Sequence, residues 1–241
     1  MRKIIVLSLV FMFLCMFGSA SAAPGYSEQI DLIASNADLW KQDYEFGQWG
    51  YIVTDLDQNG RMEIISCSVQ GTGFYSYIKA YEVNEEGTGL DDLMKAYADR
   101  TDSSPDIMTS RVPVFYDRNT DRYYYIFDDM IRNGMAEYYE NKRAVCIADG
   151  EWQETPLAFR STVYTDADHS TVTCTDSAGN TISETQFDDI AGIVFSGLEL
   201  SETCLNWQMT DVRGFAALTK GQLTDDLKTA AETMCLLSDG N

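Results

Sequence analysis

Nine consecutive residues carry the clearest chemistry in this chain: Asp55-Leu56-Asp57-Gln58-Asn59-Gly60-Arg61-Met62-Glu63. They fit the pattern D-x-D-x-N-G-x-x-E, in which oxygen-bearing side chains recur at alternate positions. Calcium is a hard cation that takes six to eight oxygen ligands, and alternate residues of a tight loop can turn such oxygens toward one centre. Asp55, Asp57 and Asn59 supply the first, third and fifth positions, and the main-chain carbonyl of Arg61 supplies the seventh. Glu63, at the ninth, closes the site directly or through water. Gly60 allows the positive φ that folds the loop back on itself.

The pattern is not that of a helix–loop–helix site. Such a loop ends on a bidentate Glu at its twelfth position, which here is Ser66. The flanking Ile52-Val53-Thr54 and Ile64-Ile65 favour strands. The expectation is a strand–loop–strand hairpin that Ca2+ braces structurally, with an affinity on the order of 0.1–1 mM. Two other strings come close. Asp117-x-Asn119-x-Asp121 has Arg122 in place of the Gly and Tyr125 at the ninth position, and Asp166-x-Asp168-x-Ser170 also lacks the Gly. Both read as polar turns, where Asp and Asn collect for backbone reasons alone.

The loop is similar to the strand–loop–strand calcium hairpins of FG-GAP and integrin-type blades, where alternate positions from the first to the ninth bind the ion. The loop has no clear repeat along the chain, so a β-propeller is not implied. The wider string, Trp49-Gly50-Tyr51, Val53 to Asp57, Asn59 to Ile64, Gln70-Gly71-Thr72-Gly73 and Tyr81-Glu82-Val83, resembles exported proteins of Gram-positive gut bacteria. That resemblance implies an exported compartment and a calcium loop, and it brings no activity with it.

The elements that must hold the loop are legible around it. Trp49–Thr54, Met62–Val69 and Phe74–Val83 read as successive strands of an antiparallel meander. Val112–Tyr116 and Tyr123–Phe127 suggest another hairpin, Asp149-Gly150 marks a two-residue hairpin turn, and a strand pair brackets Asp176–Asn180. Helical spacing predicts an N-terminal helix through Ile30, Ile33, Ala37 and Trp40, capped by Ser27. A second helix is expected through Leu90, Leu93, Met94, Tyr97 and Ala98. A third follows the capping box Ser183-x-x-Gln186, with Phe187, Ile190, Ala191 and Val194 on one face. A C-terminal helix runs through Leu223, Leu227, Ala230, Met234 and Leu237. Helices alternating with hairpins predict an α+β fold, antiparallel strands packed with three to four helices.

The first 22 residues read as a signal peptide. Arg2 and Lys3 precede the apolar run Ile4–Phe17, and Ala20-x-Ala22 supplies the cleavage signal. Cys15 sits inside that run behind Phe13-Leu14, which does not suit lipoprotein processing. Residues 23–241 are then expected to form one domain, with a surface loop at 101–110 as the internal boundary candidate. No second apolar run is long enough to span a membrane after cleavage.

Composition bounds the function. The chain has 38 Asp plus Glu against 17 Lys plus Arg, a net charge of −21, and cleavage would remove two cations and no acids. Such a surface repels phosphate backbones, so nucleic acid is excluded as a partner. The single histidine, His169, lies in a polar loop, cannot build a multi-histidine metal site, and has no local support for a dyad with Cys174. Serine-hydrolase, zincin and P-loop motifs are absent. The five cysteines of the exported chain show no Cys-x-x-Cys pair, and buried thiols suit them as well as disulfides. The sequence therefore reads as a secreted or cell-envelope protein, more a binding protein than an enzyme, with an extracellular protein or glycan as partner. The alternative is a carbohydrate-active enzyme or sugar-binding module using carboxylates with aromatics such as Trp152, Trp207 and Tyr123-Tyr124-Tyr125.

Overall fold

A computed structural model describes residues 24–99, 104–166 and 169–232. The signal-peptide segment with Cys15, and Met234, Cys235 and Leu237, lie outside the described residues.

The chain opens with α1 (Tyr26–Ser35) and α2 (Ala37–Trp40), followed by strands β1 (Gln48–Thr54), β2 (Glu63–Gln70), β3 (Tyr75–Val83) and β4 (Leu90–Asp92). A run of long strands comes next: β5 (Arg111–Asp117), β6 (Arg122–Asn133), β7 (Glu137–Ala148), β8 (Glu151–Tyr164) and β9 (Ser170–Asp176), with the short β10 (Thr181–Ile182). The remaining elements are α3 (Glu184–Asp188), α4 (Ile190–Val194), β11 (Glu199–Cys204), β12 (Gln208–Asp211), α5 (Val212–Ala217) and α6 (Lys220–Glu232). All strand pairs are antiparallel. One sheet has the order β12-β1-β2-β3-β4 and the other β10-β9-β8-β7-β6-β5-β11. The fold is thus α+β, as the alternation of hairpins and helices predicts.

Strand periodicity explains the layering. Tyr51 and Val53 face a core shared with Ile30 and Ile33 of α1 and with Leu223 and Leu227 of α6. Ile52 and Ile65 face the opposite way, into a core shared with Val114, Tyr125, Phe127, Val145 and Trp152 of the larger sheet. That sheet turns Phe115, Ile126 and Ala144 outward against Phe187 of α3 and Ile190 of α4. The order is helix, sheet, sheet, helix. Strands covered on both faces are buried along nearly their whole length, which is why β1 is written as a continuous apolar run rather than an alternating one.

Four local expectations are corrected. The helix expected through Leu90–Ala98 is β4 followed by a single 3-10 turn at Lys95–Tyr97. Leu93 is fully buried there, donates its N–H to Ala80 and accepts from the N–H of Trp152, while the Asp92 carboxylate takes the Met94 N–H. The apolar spacing serves two cores, with Leu90 on the helical side and Leu93, Met94 and Tyr97 between the sheets. The 101–110 segment is no simple surface loop where it is described. Ser104 bridges to Ser76, and Ile107 is buried between the sheets. Gly25, not Ser27, caps α1, and Glu28 reaches back to the Gly25 N–H. Finally, α1 stops at Ser35, leaving Ala37 and Trp40 in α2, where the Trp40 indole donates to the Ile33 carbonyl. The strands β11 and β12 were not foreseen.

Candidate metal centre

The loop at 55–62 joins β1 to β2. Thr54 pairs with Glu63 across its base, so the last predicted ligand is also the first residue of the returning strand. Two left-handed residues, Gln58 at φ 58° and Gly60 at φ 84°, fold the chain back between them. Short-range hydrogen bonds then fix the acids. Asp55 Oδ2 accepts the Gly60 N–H at 3.0 Å, Asp57 Oδ1 accepts the Asn59 N–H at 3.2 Å, and Glu63 Oε2 accepts the Leu56 N–H at 2.8 Å. The outcome is convergence: one carboxylate oxygen from each of Asp55, Asp57 and Glu63 lies within 4.8 Å of the others. Oxygens gathered this closely are what a metal ion with oxygen ligands requires.

Burial makes this cluster costly. Glu63 has no exposed surface, and Asp55 and Asp57 are half-buried. Burial pushes the Glu63 carboxyl well above the usual carboxylate range, and the charges of Asp57 and Asp55 push it further. Burial raises Asp55 and Asp57 as well. Asp55 Oδ1 and Glu63 Oε1 are buried and have no hydrogen-bond partner among the described residues. An unsatisfied buried acceptor costs about 1–3 kcal/mol, and more when it is charged. The donor set is hard, anionic and pre-positioned, and it could hold a metal ion.

The side chains of Asn59 and Arg61 are engaged with neighbours of the acidic cluster. Asn59 accepts the Arg61 N–H through Oδ1 at 2.7 Å and donates through Nδ2 to Asp57 Oδ2 and Glu82 Oε1, at 2.9 and 2.6 Å. The Arg61 guanidinium pairs with Glu82 Oε2 at 2.7 Å. Glu82 itself escaped the sequence reading. It lies directly across from Glu63 in the β2–β3 register and is almost wholly buried. Its signal was a charged residue inside the apolar run of β3, but the register that places it beside the loop is not written locally.

Three further residues from distant elements hold the loop. Gln29 of α1 donates to the Gly60 carbonyl at 3.0 Å and accepts the Met62 N–H at 2.7 Å. Tyr125 of β6 donates to the Leu56 carbonyl at 2.8 Å, and Tyr123 donates to Gln58 Oε1 at 3.1 Å. None of these was foreseen, because each comes from another sheet or helix.

The remaining candidates do not converge. His169 is exposed and pairs with Asp166 at 2.7 Å, whereas Cys174 is buried against α3 and α4. Cys67 and Cys146 are buried thiols too. Of the aromatics named above, Trp152 and Tyr125 are buried in the inter-sheet core, Trp207 packs against it, Tyr124 stacks on Phe195 and Tyr123 stacks on Tyr116. Among the described residues, no helix is long and apolar enough to cross a membrane.

Fold and site together define an α+β protein of two packed antiparallel sheets with an acidic centre in the first long-loop hairpin. No protein-family model, curated protein or solved structure matches the chain.

Proposed function

We propose that this is an exported binding protein whose β1–β2 hairpin is braced by a calcium ion held by Asp55, Asp57 and Glu63. The observation that carries the reading is a contrast among the three carboxylates that are fully buried among the described residues. Glu82 is answered by the Arg61 guanidinium. Asp129 lies in the field of Arg143 and accepts the Asp106 N–H. Glu63 keeps one oxygen unpartnered, as Asp129 does, but the charges that act most on it are those of Asp57, Asp55 and Glu82, all of them acids. A bound dication would bring positive charge to Glu63 itself, whereas the Arg61 guanidinium is engaged by Glu82.

The ion is a brace in this reading, with Asn59 and the Arg61 carbonyl completing the shell directly or through water. A single loop without a twelfth ligand gives weak affinity, suited to millimolar extracellular calcium. That agrees with the export read from the first 22 residues. The partner is an extracellular protein or glycan.

A thermal melt tests the metal reading. Calcium at about a hundred times its dissociation constant should stabilise the fold by about 2.7 kcal/mol, EDTA should reverse the gain, and Asp57→Ala should abolish it. A wild-type melt that millimolar calcium leaves unmoved refutes the reading.

A further inference from the structure

The three ligands come from the smaller sheet, yet the loop that carries them is held from the larger one. Leu56 is the point of contact. Its N–H donates to Glu63 Oε2 at 2.8 Å, its carbonyl accepts the Tyr125 hydroxyl at 2.8 Å, and its side chain is buried in the core between the sheets. One peptide residue therefore touches a metal-binding carboxylate, a residue 69 positions away on the other sheet, and the inter-sheet core.

The geometry is doubled two residues on. Tyr123 and Tyr125 alternate to the same face of β6, and their hydroxyls meet residues 58 and 56 of the loop. The Tyr125 bond is buried and satisfies a main-chain carbonyl that would otherwise have no partner in an apolar setting. The Tyr123 bond is exposed and reaches only a side chain. Of the two, Tyr125 is placed to fix the backbone from which Asp55, Leu56 and Asp57 hang.

We infer that Tyr125 is a positioning residue for the cation site: it holds the Leu56 peptide so that Glu63 and its two Asp neighbours stay convergent, and cation binding and inter-sheet docking form one coupled equilibrium. This rests on the calcium reading above. The coupling is reciprocal by necessity: if docking of the larger sheet favours the ion, the ion favours docking by the same factor. Tyr125 does not ligate; it lowers the cost of assembling the ligands, which is the general benefit of preorganisation.

Calcium titration calorimetry on the mature chain, paired with hydrogen exchange, tests this. Tyr125→Phe keeps the ring in the core and removes one buried hydrogen bond, so calcium affinity should fall about fivefold. Tyr123→Phe should change it less than twofold. In the wild type, calcium should slow exchange across 122–133 of β6 as well as across the loop, a measurement that needs no variant to fold. Protection confined to residues 55–63, or a Tyr125→Phe protein that binds calcium as the wild type does, overturns the coupling while leaving the site intact. A wild type that binds no calcium overturns the site and the coupling together.

Discussion

Two hairpin loops in this protein open with nearly the same string and end in opposite electrostatic states. In the β1–β2 loop, Asp55 and Asp57 converge on the buried Glu63, and burial raises all three carboxyls. In the β5–β6 loop, Asp117, Asn119 and Asp121 stay at the surface. There Asp117 accepts the Asn119 N–H at 2.9 Å and the Thr120 hydroxyl at 2.8 Å, which hold its carboxyl below the usual range. The difference lies in what closes each loop. The first has a glycine at its sixth position and a strand-borne Glu at its ninth. The second has Arg122, which reaches out to Asp149, and then Tyr125, which turns into the core. Alternating Asp and Asn make a turn in both loops, and only the first has a buried acid beneath them.

The sharpest way to break the comparison is to give the first loop the second loop's lack of a buried charge. Glu63→Gln keeps an acceptor for the Leu56 N–H and removes one negative charge from among Asp55 and Asp57. The apo protein should melt no lower than wild type at neutral pH, while the calcium-induced shift disappears and affinity drops more than tenfold. Differential scanning calorimetry with and without calcium reads both. An apo protein that loses stability on this change would show that the buried charge is already compensated within the chain.

Asp129 asks whether burial alone is enough. It is as buried as Glu63, but the Arg143 charge acts on it more strongly than that of Asp106 or Glu154, and its carboxyl is raised to about 6, chiefly by burial. Its folded-state pKa exceeds the ordinary value of 3.8, so the fold binds its proton more tightly than the unfolded chain does. The stability it contributes is fully present below about pH 4 and is lost as pH rises through about 6. Asp129→Asn should therefore raise stability at pH 8 by up to about 3 kcal/mol, give no gain at pH 4, and leave the calcium response untouched. Denaturant melts at the two pH values separate these outcomes, and a reduced calcium response would place Asp129 in the cation site.

How much of this was legible follows from which interactions are local. The convergence of Asp55, Asp57 and Glu63 was readable because all three fall within nine residues and the loop's own hydrogen bonds bring them together. The meander was readable because β1, β2 and β3 are continuous apolar runs with turn residues between them. Glu82, Gln29 and Tyr125 were not, because each reaches the loop through a pairing or packing decision made elsewhere in the chain. The helix assigned to Leu90–Ala98 failed for a related reason. Its i, i+3, i+4, i+7 spacing is equally what a short strand and turn need when they wedge between two cores, and periodicity cannot distinguish one buried face from two.

A smaller effect belongs to the turn itself. A methyl group built at Gly60 would meet nothing within 4 Å, so Gly60→Ala tests conformation alone at φ 84°. The left-handed backbone should cost about 1–2 kcal/mol, visible as a lower melting point that calcium still raises.

The smallest effect is expected where the string looks most similar and the surroundings differ most. Asp117→Ala removes the two local hydrogen bonds of the exposed turn and no buried charge. Because the Asp117 carboxyl is held below its ordinary range, its contribution to stability is present above that range and fades as pH falls. The variant should melt slightly below wild type at pH 7 and level with it near pH 3, and the calcium-induced shift should be identical in the two proteins. The equality of that shift is the informative part. Both loops present acids to solvent in an acidic protein, so general attraction of calcium to surface charge would make Asp117→Ala and Asp57→Ala weaken the response alike. Only a site built on the buried Glu63 makes one substitution decisive and the other silent.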